Sequence, residues 1–592
     1  MEKSYRLPFN IYELPADGEY YLNVELSLGK DMPWEEKGYV QMAEQLSCPF
    51  DMYDWAMPSL KDAIEVKSEG GMTIVSTLIE ESTGQPFRVS FDDAQGCIHS
   101  LVYGGRTVIE PGCGPKLDAF RAPVDNDNWA WNQWFQHGLY DLQHQVIGQP
   151  VISRDANSRI SVLYNVRSQA KTKGRAVHRP GKAGEPFESI QTGQAMTEND
   201  FHFTTAICYT IYPDGTISVA SSIVSSDPAV ALPRLGYAMK LPKQLDQYTY
   251  YGRGPLNNYA DRKTGSFVGL YKSTVKEQFV NFPKPQSMGN REEVRWCALT
   301  DERGSGLQFI ANSRPGDMGG MVMSTSALPW SALQMTLAAH PHELPQSDGN
   351  CLHLDCQVTG LGGNSCGQGG PLDPDRVKGA LHLFKFIIRP TKPGEDLSQK
   401  GKMWDMVESP VTIVRDRAGK VTIIGDGNVM DPSNIYYTIT SGKTTSKPKR
   451  YLASTNAGSP FWETGEEAIT LRDGGTISAW YEGNEQMKTT VTFPRIENVP
   501  VEVVYVSSEE GPGGEVGKNL VDGDPSTIWH TMYSITVGTY PHWVDFDCNE
   551  VRTIKGFTYL PRQDGGVNGN VKAYKVQLSM DGKTWGDAVC EG

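Results

Sequence analysis

No apolar run in this chain approaches the ~18 residues that a membrane-crossing helix needs. The start, Met1-Glu2-Lys3-Ser4-Tyr5-Arg6, leads into polar, Pro-containing sequence without an apolar core, so no signal peptide is read there. Basic clusters are also missing. The net charge is −15, and the one basic stretch, Lys443 to Arg450, is diluted by Thr, Ser and Pro. Phosphate-backbone binding needs clustered Lys and Arg, so nucleic acid is excluded as a partner. The ten cysteines show no Cys-x-x-Cys spacing. They permit disulfides without requiring them and fix no compartment. Long amphipathic helices are absent as well, with Ser59 to Val66 the best short candidate. A (β/α)8 barrel needs about 250 residues with a helix after each strand, and no stretch offers that alternation.

What remains is strand and turn. The 61 Gly and 37 Pro suit many turns between short strands, and 39% hydrophobic with 21% charged residues describes a folded chain. Phe203 to Tyr212 and Thr216 to Val224 flank Pro213-Asp214-Gly215, which reads as a hairpin. Val411 to Val414 and Val421 to Ile424 flank Arg415 to Lys420 in the same way. His382 to Ile388 is a β-rich run ending at Arg389-Pro390. Trp543 to Phe546, Phe557 to Leu560 and Tyr574 to Leu578 are further short strands. The fold class is therefore mainly β. Turn-rich breaks divide the chain into 1–64, 65–397, 398–496 and 497–592.

The second piece carries ordered motifs. They are Phe120-Arg121-Ala122-Pro123-Val124-Asp125-Asn126-Asp127, Leu232-Pro233-Arg234-Leu235-Gly236, and Tyr251-Gly252-Arg253-Gly254-Pro255-Leu256-Asn257-Asn258-Tyr259-Ala260-Asp261-Arg262. Pro285 to Arg291, His340 to Leu344, and Asp355 to Gly363 follow. This series resembles the large C-terminal domain of family 2 β-galactosidases. The resemblance implies a galactose-mutarotase-like β-supersandwich for 65–397 that packs beside a catalytic barrel and helps to close its substrate pocket. The first piece, especially Gly18 to Pro49, resembles the later strands of the family's last immunoglobulin-like domain. That fold needs about 100 residues, so the chain is expected to begin inside a domain. The third piece resembles small β-sandwich spacers. The last resembles discoidin-type (F5/8 C-type) modules that bind galactosides. Its markers are Leu520 to Thr531, Pro541 to Asp547, Gly556 to Gly565 and Tyr574 to Trp585. It stops short of such modules' usual length, and is expected to leave sheet edges unpaired.

The implied activity is hydrolysis of terminal β-galactosides by a parent enzyme, with galactose-containing glycans and the upstream catalytic barrel as partners. Such a parent would be periplasmic or secreted. Retaining glycoside hydrolysis needs two carboxyls about 5 Å apart, and the family places an Asn-Glu pair on its barrel. Here Asn484-Glu485 and Asn549-Glu550 lie near turns of β-modules. No catalytic residue is assigned, and the chain is expected to be inactive alone. The alternatives are a stand-alone carbohydrate-binding protein, or a lyase or epimerase using the supersandwich itself, for which Tyr250, Tyr251 and Arg253 are the available groups.

The resemblance places Asp125, Asn126, Asp127 and Cys366 at the pocket rim. Adjacent Asp and Asn also stabilise turns by bonding their own backbone. Cys366 or Gly367 stands where well-known members carry a sugar-stacking Trp. Trp129, Trp131 and Trp134 are read as buried. Asp522, Asp524 and Thr527 crowd oxygen ligands into one turn, which suits a structural calcium; the alternative is an ordinary Asp-Gly turn. Trp529, His530, Tyr533 and Arg562 combine ring faces with hydrogen-bonding groups, as a sugar site does. Cys351, His353 and Asp355 share a strand face, but a closed zinc site needs four ligands and no fourth is evident.

Overall fold

The computed structural model describes residues 6, 10, 13–14, 18–48, 58–61, 63–78, 86–155, 158–178, 187–198, 200–312, 322–362, 369–405, 409–415, 419–425, 434–451, 469–496, 500–524, 526–554, 556–562 and 569–592. It is mainly β, and its centre is a supersandwich of antiparallel sheets. A ten-stranded sheet runs in space through Val151–Arg154, Ile160–Ala170, Phe203–Ile211, Ile217–Ser225, His382–Thr391, Gly306–Ala311, Trp296–Thr300, Gln247–Gly254 and Phe267–Thr274, with Leu142–Val146 pairing on Ile160–Ala170. A five-stranded sheet runs through Arg291–Val294, Met323–Leu328, Asn350–Val358, Arg234–Leu241 and Lys116–Asp118. A second five-stranded sheet follows chain order from Ile64–Glu69 to Arg106–Ile109. All three contribute to one core, in which Phe91, Tyr209, Tyr237, Tyr248, Phe309 and Phe386 are buried together.

The hairpin expected at Asp214-Gly215 forms, with Phe203↔Ser225 to Ile211↔Ile217 in unbroken register. Gly215 sits at φ +84°, and a Cβ there would lie 2.8 Å from Tyr103, so only glycine suits the turn. Two expectations are corrected. Ser59 to Val66 is not helical, because Ile64–Glu69 is a strand whose apolar residues alternate with polar ones. The run from His382 does not end before Arg389-Pro390 but continues to Thr391. Its pairing with Ile217–Ser225 stops at Ile388. Pro390 thus has a strand on one side only, Leu307 being its partner, and its missing N–H breaks no ladder there.

Within 1–64, the described residues hold a two-stranded hairpin, Tyr21–Ser27 with Val40–Ser47. Glu19 accepts from Arg295 Nε at 3.0 Å, and Gln45 exchanges two hydrogen bonds with the Val268 backbone at 2.7 and 3.1 Å. These contacts seat the hairpin on the supersandwich, while Val24, Leu26, Met42 and Leu46 stay exposed. Beyond 397, Thr412–Arg415 pairs with Val421–Ile424 as expected. A five-stranded sheet around Ile435–Ser441 and Gly475–Tyr481 shares a small core with that hairpin. In the last piece Glu502–Val506 pairs with Val544–Asp547, and Lys575–Val576 with Cys590–Glu591. Phe557 to Leu560 is not a strand, and the Tyr574 to Leu578 strand shrinks to two residues. Among the described residues neither segment has further strand partners, and a lone extended segment has no ladder to hold it.

Candidate functional site

Four of the motif segments meet at a cleft of about 260 Å³, lined by Val124, Asp125, Asn126, Asn257, Tyr259, Arg262, Phe282, Gln286, Ser287 and Leu361. The first wall is the single 3₁₀ turn Asp125–Trp129. It is built from below by Asp127, which is wholly buried and accepts the Val124 N–H at 3.0 Å. The same carboxylate takes Arg121 Nε at 3.1 Å and Nη2 at 2.6 Å. Arg121, itself buried and 5.7 Å from the Trp134 ring, also donates to the Thr359 and Gly360 carbonyls. Arg121, held by Asp127, therefore ties the 121–127 motif to the glycine-rich segment across the cleft through these two carbonyls.

That segment is held from its other side. The Asp261 carboxylate accepts the amides of Leu361 at 3.0 Å and Gly362 at 2.7 Å. Gly360 packs so close that a Cβ would lie 2.4 Å from the same carboxyl. The adjacent turn is locked by Asn258, wholly buried, which donates to the Arg253 and Leu256 carbonyls and accepts from Glu292 N. It presents Tyr259, whose hydroxyl meets Ser287 at 3.3 Å, and Arg262, which donates to Asn257 Oδ1 at 2.7 Å and lies over the Tyr259 ring. The lining mixes hydroxyl, amide and guanidinium groups with an aromatic and aliphatic surface, which suits a polyhydroxylated ring with apolar faces.

Of the residues expected at the rim, Asp125 and Asn126 line this cleft, with Asp125 exposed. Asp127 does not: burial and three hydrogen bonds make it the support of the rim, as its turn-forming alternative requires. Cys366 and Gly367 lie outside the described residues. Trp134 is buried, whereas Trp129 is half-buried with Arg376 4.7 Å over its ring. Asn257, Tyr259, Arg262, Phe282, Gln286, Ser287 and Leu361 were not singled out from sequence, although six of them fall in or beside the motifs. Their order along the chain signals the family and not which side chain faces the cleft.

The other candidates resolve as follows. Asp355 is paired with buried Arg234, and His353 Nδ1 faces Asp118 at 3.3 Å, so this strand face is engaged within the fold. Glu485 opens an exposed single turn, and Glu550 lies exposed beside Arg552. Tyr250 is buried against Arg291, and Tyr251 donates to Glu19 at 3.0 Å. Burial, the largest cause, raises both phenols above their ordinary range, which does not suit a lyase base.

In the last piece, Asp522 Oδ2 accepts Thr527 Oγ1 at 2.8 Å, and that hydroxyl also lies 3.0 Å from the Asp524 carbonyl. Asp524 N–H donates to Asp522 Oδ1 at 2.9 Å. His530 and Tyr533 meet edge to face at 4.9 Å, with Tyr533 half-exposed. Arg562 is half-buried and lies near enough to act electrostatically on Tyr533. Trp529 is half-buried, its Nε1 donating to the Ser508 carbonyl at 3.0 Å. Glu510, which no sequence motif singles out, organises this loop by accepting the Tyr533 and Ser534 amides at 2.8 and 2.9 Å.

The structure thus defines a β-supersandwich protein with a polar cleft assembled from an ordered motif series. Residues 83–388, just over half of the chain, match the family described as β-galactosidase small chain, and residues 504–592 match the F5/8 type C domain. The chain belongs to the β-galactosidase small-chain family. Curated relatives include the β-galactosidase of Priestia megaterium, 27% identical over 372 residues (61% of this chain, 31% of the relative). That of Lactobacillus delbrueckii subsp. bulgaricus is 30% identical over 354 residues (59% and 30%). That of Arthrobacter sp. strain B7 is 33% identical over 257 residues (43% and 24%). The chain spans about a third of the length of the curated relatives it matches first. Among solved structures, galactose 1-epimerase from Lactobacillus acidophilus superposes with a TM-score of 0.25 at 9% identity, covering 56% of this chain and 98% of that one.

Proposed function

We propose that this chain is a non-catalytic part of a β-galactosidase, supplying a wall of the substrate pocket and a carbohydrate-binding module. The observation that carries this is the cleft. Its shape depends on a buried Arg121–Asp127 pair and on Asp261, yet among the described residues Asp125 is the one carboxylate lining it. A glycosidase needs two. The exposed apolar face at Val24, Leu26, Met42 and Leu46 further supports work within a larger assembly, with a catalytic barrel as the partner. In the last module Trp529, His530, Tyr533 and Arg562 form the galactoside-binding group. Asp522, Asp524 and Thr527 hold a structural calcium, whose hard charge suits three converging oxygens. A periplasmic or secreted parent fits this reading.

The test is an assay of the purified chain on a chromogenic β-galactoside, alone and after mixing with a barrel-bearing β-galactosidase segment. No turnover alone and activity on mixing are expected. Turnover by the chain alone overturns the proposal. Glycan-array binding without any activation on mixing would favour a stand-alone carbohydrate-binding protein.

A further inference from the structure

Away from the cleft, metal-ligating side chains converge at His340, His342 and Glu343. One ring nitrogen of each histidine and one Glu343 oxygen all lie within 4.8 Å of one another. The local sequence explains this. Pro341 opens the single 3₁₀ turn Pro341–Glu343, and a three-residue period brings positions 340 and 343 onto one side. His340 Nδ1 accordingly stands 3.0 Å from Glu343 Oε1. The other oxygen of Glu343 accepts the Ala339 N–H at 3.0 Å, which fixes the carboxylate plane. The His342 ring lies nearly parallel to that of His340, 5.4 Å away.

The turn is also braced from outside. Ser331 and Gln334 cap the preceding helix Ala332–Leu337 reciprocally. Lys284 Nζ donates to the carbonyls of Met335, Thr336 and Ala338 at 3.1, 2.6 and 2.5 Å. Trp330 Nε1 donates to the Pro345 carbonyl at 2.7 Å, and Leu344 packs on the Ala122, Met288, Leu328 and Met335 cluster. The segment that gives Phe282, Gln286 and Ser287 to the cleft therefore also holds this turn in place, through Lys284.

We propose that His340, His342 and Glu343 bind a divalent transition ion of borderline softness, with zinc as the reference ion. Two imidazoles and a carboxylate are the donors such ions take, whereas calcium and magnesium prefer all-oxygen sets. Ligands about 2.05 Å from a tetrahedral zinc stand roughly 3.3 Å apart. The His340–Glu343 pair already has nearly that spacing, and exposed His342 closes the rest by side-chain rotation. The ion takes the place of the hydrogen bond between His340 Nδ1 and Glu343 Oε1, the neutral imidazole carrying its proton on Nε2, and water completes the coordination.

The metal-free full chain titrated with zinc chloride in a calorimeter tests this. One saturable site is expected, weakened at least about tenfold in H340A/H342A and also in E343Q, which keeps the turn's hydrogen-bonding shape. Circular dichroism verifies that both variants fold. The chain has 11 histidines, and the two variants separate this site from the other donors. Saturable binding that survives both variants unchanged overturns the proposal, as does the lack of any saturable binding. The readout needs no β-galactoside, so failure of the functional reading would leave it untouched.

Discussion

Substituting Asp127 with Ala would strand the Arg121 guanidinium inside the protein. Arg121 is 1% and Asp127 0% exposed, and they share two hydrogen bonds. Removing one partner of a buried ion pair costs about 3–5 kcal/mol, because the other charge is left uncompensated. The Val124 N–H loses its acceptor too, adding about 1 kcal/mol. A chain with several cores need not unfold in one step, so the assay is hydrogen exchange read by mass spectrometry in peptides covering 117–135 and 355–362. At about 1.4 kcal/mol per tenfold, a loss of about 4 kcal/mol lowers protection there by roughly a thousandfold. The double variant R121M/D127L removes both charges while keeping bulk, and should recover part of the protection, the Val124 N–H and the Thr359 and Gly360 carbonyls still lacking these partners. Equal losses in single and double variants would refute the argument, as would a loss below about 1 kcal/mol in D127A.

Further expectations follow from other contacts. Asp261→Ala frees the Leu361 and Gly362 amides at an exposed position. It should weaken galactoside affinity of the barrel-complemented chain by about tenfold while costing about 1 kcal/mol or less of stability, read by titration and by exchange protection. Burial, the largest cause, holds His137, His144 and His202 down to about 4. Their folded values lie below the unfolded 6.5, so the unfolded chain takes up protons first and stability falls as pH drops from 6.5 towards 4. Three protons give a slope of at most about 4 kcal/mol per pH unit in that window. Denaturant midpoints against pH should show it, with His137→Leu flattening the slope by about a third. Chelation with EGTA should lower the melting temperature of the chain, and calcium should restore it in the wild type but not in D522A/D524A.

Much of the fold was legible because local chemistry settled it. The Asp214-Gly215 turn dictates the register of its hairpin, whereas the strand Ile64–Glu69 begins inside the stretch expected as a short helix. Proline at 390 forbids a ladder bond only on a side that has a partner, and no local pattern reveals which side of the His382–Thr391 strand is unpartnered there. The site was legible as a set of motifs but not as a cleft. Asp125, Asn126 and Asp127 are consecutive and chemically alike, yet two line the space and the third lies beneath it.

By itself the sequence determined a mainly β chain and its family, since turn residues, period-two patterning and motif order are local properties of the chain. Tertiary structure alone decided which side chains share a space. Arg121 meets Asp127 six residues away but meets Thr359 and Gly360 from more than two hundred, and Asp261 reaches Leu361 across a hundred. Those contacts depend on how three sheets close around one core, which no window of the sequence contains.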